Sequence, residues 1–187
     1  ETVEFIDKGA FCGCVSITKI EIPKSIKSIE DDLFAGCKML SEVIIPSSVV
    51  SIGNGSFRDC KTLTDIEIPS SVKFIGNGAF YGCITLIQMS LLSVVSLGSF
   101  AFDNCISLKR IFLNQSLKTI GICAFRNYSS LINIKIPSNI EYIDEGLFEG
   151  CSALSSVEIP KSILSIGTKA FFGCHSLTKE TLRIPKT

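Results

Sequence analysis

Apolar residues recur along this chain in two alternating spacings. In Ile66-x-Ile68 they alternate with outward polar positions, the period of an extended strand with one buried face. A few residues later they fall three apart, as Val72-x-x-Ile75-Gly76 and then Ala79-Phe80-x-x-Cys83. The whole series from Leu63 to Cys83 returns every 23 residues. Its Phe anchors are Phe11, Phe34, Phe57, Phe80, Phe102, Phe125, Phe148 and Phe171, spaced by 23 except for 22 between Phe80 and Phe102. A fixed period of this size predicts a solenoid, in which each unit buries its apolar face only by stacking on its neighbours.

The elements follow from the pattern. Segments such as Leu40-x-x-Val43-x-Ile45-Pro46 and Leu154-x-x-Val157-x-Ile159-Pro160 predict strands that stack in parallel from repeat to repeat. Proline just past the strand lacks an amide hydrogen, so it ends the ladder and turns the chain. The V-x-x-I-G segment predicts a second short extended piece, closed by a glycine able to take positive φ. Phe and Cys three apart in A-F-x-x-C predict a short helical turn, held by packing because it is too short to stand alone.

Seven such cycles, L-x-x-I-x-I-P-x-x-V-x-x-I-G-x-x-A-F-x-x-C, cover residues 3 to 185. This motif resembles the leucine-rich repeats of the BspA-like, Treponema pallidum-type family. The resemblance implies an α/β fold: a right-handed, horseshoe-like solenoid of about eight 23-residue repeats, β-rich, with short helical turns on its convex side. It implies one domain over residues 1–187 with incomplete repeats at both ends. It also implies a non-catalytic, adhesin-like or protein-binding module at the cell surface or secreted, with host matrix proteins among the partner classes.

Composition narrows the partners. Lys plus Arg equals Asp plus Glu, at 18 each, so the chain carries no electrostatic footprint for nucleic acid or acidic lipid. No apolar run approaches the roughly 20 residues of a membrane helix, so direct membrane insertion is not expected. The chain opens in mid-repeat at Glu1 without a starting Met, which reads as a piece of something longer.

Seven of the nine cysteines hold one repeat position: Cys14, Cys37, Cys60, Cys83, Cys105, Cys151 and Cys174, with Tyr128 standing in for the sixth. A buried thiol ladder is the leading reading, because parallel coils point equivalent Cβ atoms the same way, which is poor disulfide geometry. Some disulfides and a metal site are the alternatives, the latter without paired C-x-x-C elements. Cys12 and Cys123 lie off the column and are expected to be the exposed thiols. Free thiols suit a reducing compartment, so a cytoplasmic location stands against the surface habit of the family.

Catalytic chemistry finds little footing. The single histidine, His175, follows a ladder cysteine, and adjacent side chains usually point apart. Asp31-Asp32 and Asp144-Glu145 read as solvated turn charges. No cofactor is expected. Three N-x-[ST] sequons, at Asn54, Asn114 and Asn127, bear only on a eukaryotic secretory route.

A protein partner is expected on the concave face, formed by the outward strand positions. One column reads Glu21, Ile44, Glu67, Ser90, Phe112, Lys135, Glu158, Arg183; its neighbour reads Lys19, Glu42, Asp65, Gln88, Arg110, Asn133, Ser156, Thr181. The proline column is broken at Leu92 and Asn114, beside the 22-residue cycle. Aromatic and Arg side chains anchor interfaces, so Gln88, Ser90, Leu92, Arg110, Phe112 and Asn114 form the candidate patch, with drift in a tolerant repeat as the alternative. An acidic strip of Glu42, Asp65 and Glu67 is a second candidate. A different class of function is an intracellular scaffold component self-associating through exposed repeat ends.

Overall fold

A computed structural model describes residues 3–182 and 184; Arg183 and Pro185, placed in repeat columns above, lie outside them. The repeats contribute long strands and short ones. The long strands are β1 (Lys19–Glu21), β3 (Glu42–Ile44), β6 (Gln88–Leu91), β8 (Arg110–Leu113), β10 (Asn133–Lys135) and β12 (Ser156–Glu158). The short ones are β2 (Ser28–Ile29), β4 (Ser51–Ile52), β5 (Phe74–Ile75), β7 (Ser96–Leu97), β9 (Thr119–Ile120), β11 (Tyr142–Ile143) and β13 (Ser165–Ile166). Every ladder is parallel and in repeat register: Ile20 faces Val43, Met89 faces Ile111, and Ile134 faces Val157. The long strands pair as β1–β3, β6–β8 and β10–β12. The short ones run β2-β4-β5-β7-β9 and, separately, β11–β13.

The architecture is a β-rich, right-handed-type solenoid of about six turns, and the expectation of about eight repeats is corrected accordingly. Six long-strand positions form ladder strands among the described residues; residues 65–68 do not, and Leu182 makes only an isolated bridge to Val157. The α/β assignment is also corrected, because the described residues contain no helix.

The reason lies on either side of each Phe. Two positions per coil take positive φ, such as Asp32 (52°) and Gly36 (72°) around Phe34, or Gly78 (58°) and Gly82 (69°) around Phe80. A helix cannot pass through left-handed residues. The segment instead satisfies its amides alternately. Leu33, Ala35 and Cys37 donate to carbonyls three residues back, while Asp32, Phe34 and Gly36 donate to Asn54, Ser56 and Arg58 of the next coil. The backbone is thereby paired without a helix.

Phe rings stack through the interior from Phe11 to Phe171 at 5.1–6.4 Å between centroids. Leu40, Leu63, Leu86, Leu108, Leu131 and Leu154 are buried in their own column. The I-G glycines have a role other than the expected one. Gly53, Gly76, Gly98, Gly121 and Gly167 do not take positive φ, yet a Cβ on any of them would come within 2.8 Å of backbone in the preceding coil. They are glycine so that successive coils can close on each other.

The stack loosens once. Phe102 and Phe125 are 6.4 Å apart, the widest spacing, and just beyond this level both sheets break, since β8 makes no ladder with β10 and β9 none with β11. Tyr128, which replaces the ladder cysteine, is fully buried there with its ring 5.8 Å from Phe125. Its hydroxyl finds no hydrogen-bond partner. Beside it Asp103, also fully buried, accepts from Arg126 Nη2 at 2.5 Å and Nε at 3.1 Å, and the guanidinium lies 5.4 Å from the Phe100 ring.

Candidate functional site

The cysteine column has a structural role that the spacing did not reveal. All nine cysteines are free thiols; six of the seven column members are buried and Cys14 is half-buried. Each buried column thiol donates to the carbonyl of a Phe one coil back: Cys37 to Phe11, Cys60 to Phe34, Cys83 to Phe57, Cys105 to Phe80, Cys151 to Phe125 and Cys174 to Phe148, at 3.0–3.3 Å. Five of these carbonyls, those of Phe11, Phe34, Phe57, Phe80 and Phe148, also accept the intracoil turn amide, so there the thiol occupies a second lone pair in a dry interior. Burial is the main cause that pushes the Cys60 thiol up to about 12, and it raises Cys83 and Cys105 as well. Such thiols are poor nucleophiles.

Of the two off-column cysteines, Cys12 is exposed as expected, but Cys123 is buried. It takes positive φ (54°), and its sulfur lies where a Cβ on Gly146 of the next coil would fall. His175 is exposed while Cys174 points to the Phe148 carbonyl, so the two do not form a pair. Asp31 is not simply solvated: it accepts from the Asn54 amide at 2.6 Å, Asn54 accepts from Asn77, and Asn77 from Ser99. This ladder was missed by sequence reasoning, although its members fall at the repeat interval, 23 residues and, for the last step, 22.

The sequon asparagines are likewise engaged. Asn54 Nδ2 donates to Asp31, Asn114 Nδ2 to the carbonyls of Leu91 and Val94, and Asn127 Nδ2 to Asn104. Asn114 thus serves the turn. In the fourth repeat, Leu91 begins the turn as proline does elsewhere, with Val94 donating to it as Ile26 donates to Pro23. The proline column therefore passes through Leu91, and Leu92 lies one residue further into the turn. The shortened coil and Asn114 of the next coil are complementary. Of the candidate patch residues, Asn114 is half-buried with its amide committed internally.

The other five stand at the surface of the long-strand face. Gln88 is the register partner of Arg110, and Ser90 of Phe112. Phe112 is 52% exposed and Leu92 67%. A groove of about 550 Å³ is lined by Asp65 and Glu67, by Gln88, Ser90 and Leu92 one coil further on, and by Phe112 of the coil after that. The structure therefore joins two candidates that were separate in the sequence. Glu42, the remaining member of the acidic strip, is outside the groove and pairs with Lys19 at 2.6 Å. Among the described residues no group of three His, Cys, Asp or Glu side chains is arranged to hold a metal ion, and no helix is long and apolar enough to cross a membrane.

A parallel solenoid with in-register strands, a buried aromatic stack and an exposed long-strand face defines the leucine-rich repeat class. Within it, the model of the BspA type leucine rich repeat region, six copies, matches residues 1–97 and 86–187. The chain belongs to that family, whose members are generally protein-interaction modules. It is similar to the leucine-rich repeat protein of T. pallidum, with 28% identity, a TM-score of 0.66, and coverage of 94% of this chain and 72% of the other. It is also similar to a leucine rich cell surface protein of Faecalibacterium prausnitzii (26%, TM-score 0.60, 92% and 61%). A leucine-rich repeat protein of Eubacterium ventriosum gives 25%, a TM-score of 0.62, and 92% and 62%. The chain spans about three fifths of the latter two. A search of curated proteins found no match.

Proposed function

We propose that this chain is a non-catalytic protein-binding module of a cell-surface or secreted, adhesin-like protein. Its binding face is the long-strand face, expected to be concave, and its partner is a protein, with host matrix proteins as one class. The observation that carries this reading is the exposed pair Phe112 and Leu92 on the rim of a groove, with Arg110 beside them. An aromatic and an Arg on a rigid ladder are the side chains from which interface affinity is built. The likeness to a protein described as a cell surface protein supports the location.

The test is capture of partners from a host matrix protein mixture by the wild type and by a Phe112→Ala/Arg110→Ala variant. Loss of a captured protein in the variant supports the reading; equal capture moves the binding face elsewhere. A second reading, an intracellular scaffold component assembled through the solenoid edges, is favoured by the nine free thiols. It predicts concentration-dependent assembly in sedimentation, undisturbed by the same double substitution.

A further inference from the structure

The charges of the long-strand face are not evenly spread. Toward one end Lys19 pairs with Glu42, its register partner, at 2.6 Å; toward the other Lys135 pairs with Glu158 at 3.0 Å. These outer pairs neutralise themselves. The exposed charges between them, Asp65, Glu67 and Arg110, form no ion pair among the described residues. Asp65 and Arg110 stand two coils apart with Gln88 between them, about 10 Å at the strand spacing, too far for direct pairing. Glu67 and Phe112 are separated in the same way by Ser90. The groove therefore runs from an acidic wall of Asp65 and Glu67 over a neutral floor of Gln88 and Ser90 to an aromatic wall at Phe112, and Arg110, outside its lining, stands two residues from Phe112 on the same strand.

The backbone adds to this asymmetry. Residues 65–68 follow the repeat consensus yet form no ladder strand, so β1–β3 and β6–β8 are separate sheets with this segment between them. The six long strands are each laddered on one side, whereas the main chain of residues 65–68 is laddered on neither and its polar groups are left to the groove.

Resting on the reading of this face as the binding face, we propose that its ligand is an extended segment of a protein partner with an ordered charge pattern. A Lys or Arg lies against Asp65 and Glu67, and an apolar residue next to an acidic one lies against Phe112, Leu92 and Arg110. The span of about 10 Å corresponds to three residues of extended chain, so the cation sits three positions from the apolar–acidic pair. The groove, at about 550 Å³, has room for such a segment and not for a folded domain. A uniformly acidic or uniformly basic ligand meets repulsion at one wall.

The test uses short synthetic peptides carrying a lysine, two neutral spacers, then leucine and aspartate. Companions have the charges exchanged, the order reversed, or the spacing shortened by one. Binding is followed by NMR titration of the full chain. The ordered peptide, in one of its two chain directions, is expected to shift amides of residues 65–68 and 110–113 and to bind about tenfold more tightly than the charge-exchanged one, the scale that two exposed ion pairs supply. An Asp65→Lys/Glu67→Lys variant, confirmed folded by circular dichroism, is expected to reverse that preference. Equal binding of ordered and exchanged peptides, or a preference unchanged in the variant, overturns the proposal. If the variant still captures a protein partner with wild-type strength while Phe112→Ala does not, the charge pattern fails and the binding face stands. If Phe112→Ala captures it equally, the face itself fails, and the proposal with it.

Discussion

Gly76→Ala adds one methyl group at a seam between coils, and the structure says what that methyl meets. Its Cβ would lie 2.7 Å from the Asn54 nitrogen and 2.8 Å from the Gly53 carbonyl carbon. Ordinary contact begins at 3.4 Å, so the coils must part by about 3.4 − 2.7 = 0.7 Å at this point. Two hydrogen bonds cross there: the Gly76 amide to the Ile52 carbonyl, and the Asn77 amide to Asn54 Oδ1, both at 2.8 Å. Overpacking costs roughly 1–3 kcal/mol and each weakened bond up to about 1 kcal/mol, so the expected loss is about 2–4 kcal/mol. Gly78 is the internal control. Its φ is +58° and a Cβ there meets nothing closer than 3.7 Å, so Gly78→Ala is penalised only for backbone conformation, at about 1–2 kcal/mol. Asn, which tolerates that conformation, should cost less than Ala at residue 78 and should bring no relief at residue 76. Urea unfolding followed by circular dichroism measures all four variants. A Gly76→Ala cost below that of Gly78→Ala, or rescue of residue 76 by Asn, would refute the close-approach explanation.

Other expectations concern the loosened level and the thiols. Tyr128→Phe removes a buried hydroxyl without a partner and should stabilise the fold by roughly 1–3 kcal/mol in thermal or urea unfolding; destabilisation would mean that the hydroxyl is satisfied. Arg126→Ala strands the fully buried Asp103 carboxylate and should cost an amount at the low end of roughly 3–5 kcal/mol, because the Arg126 side chain is itself 32% exposed. In a thiol-reagent titration of the folded protein, Cys12 should react first and half-buried Cys14 next, with the seven buried thiols, Cys123 included, reacting only on unfolding. The raised buried thiols hold their protons in the native state when the unfolded chain has lost them. Their contribution is therefore complete below about pH 9, the unfolded value, and falls as pH rises through the native value of about 12 at Cys60, by at most about 1.4 kcal/mol per pH unit for each group. A stability plateau extending to pH 11 would contradict that burial.

The solenoid was readable because its cause is local and repeated. The Phe interval, the inward Ile-x-Ile pairs and the cysteine column each report one buried surface, and the structure stacks them as the spacing requires. The turn around each Phe was not readable as it stands. Left-handed positions are occupied by glycine at residues 36, 78 and 82, but by Asp32, Phe100, Cys123 and Lys169 elsewhere, so no residue type marks them. A three-residue apolar spacing then imitates a helical turn. Cys123 was misplaced for the same reason: its exposure depends on Gly146 of the next coil. The role of Asn114 needed the knowledge that Leu91, not Leu92, opens the preceding turn. Five members of the candidate patch were legible as outward strand or turn positions. Their union with Asp65 and Glu67 was not, because the third repeat carries a consensus strand sequence and still makes no ladder.

That unladdered segment also supplies the most direct test of where a partner binds. In the free protein the amides of residues 65–68 have no ladder hydrogen bond, so they should exchange rapidly with solvent, whereas those of the turn around Phe80 are bonded to the next coil. Hydrogen exchange of the chain, alone and saturated with a captured partner, reads both faces at once. Partner binding at the groove should slow exchange over residues 65–70, 88–92 and 110–113 and leave residues 77–82 unchanged. Slowing centred on residues 77–82, with 65–70 still exchanging freely, would place the partner on the opposite face and contradict it.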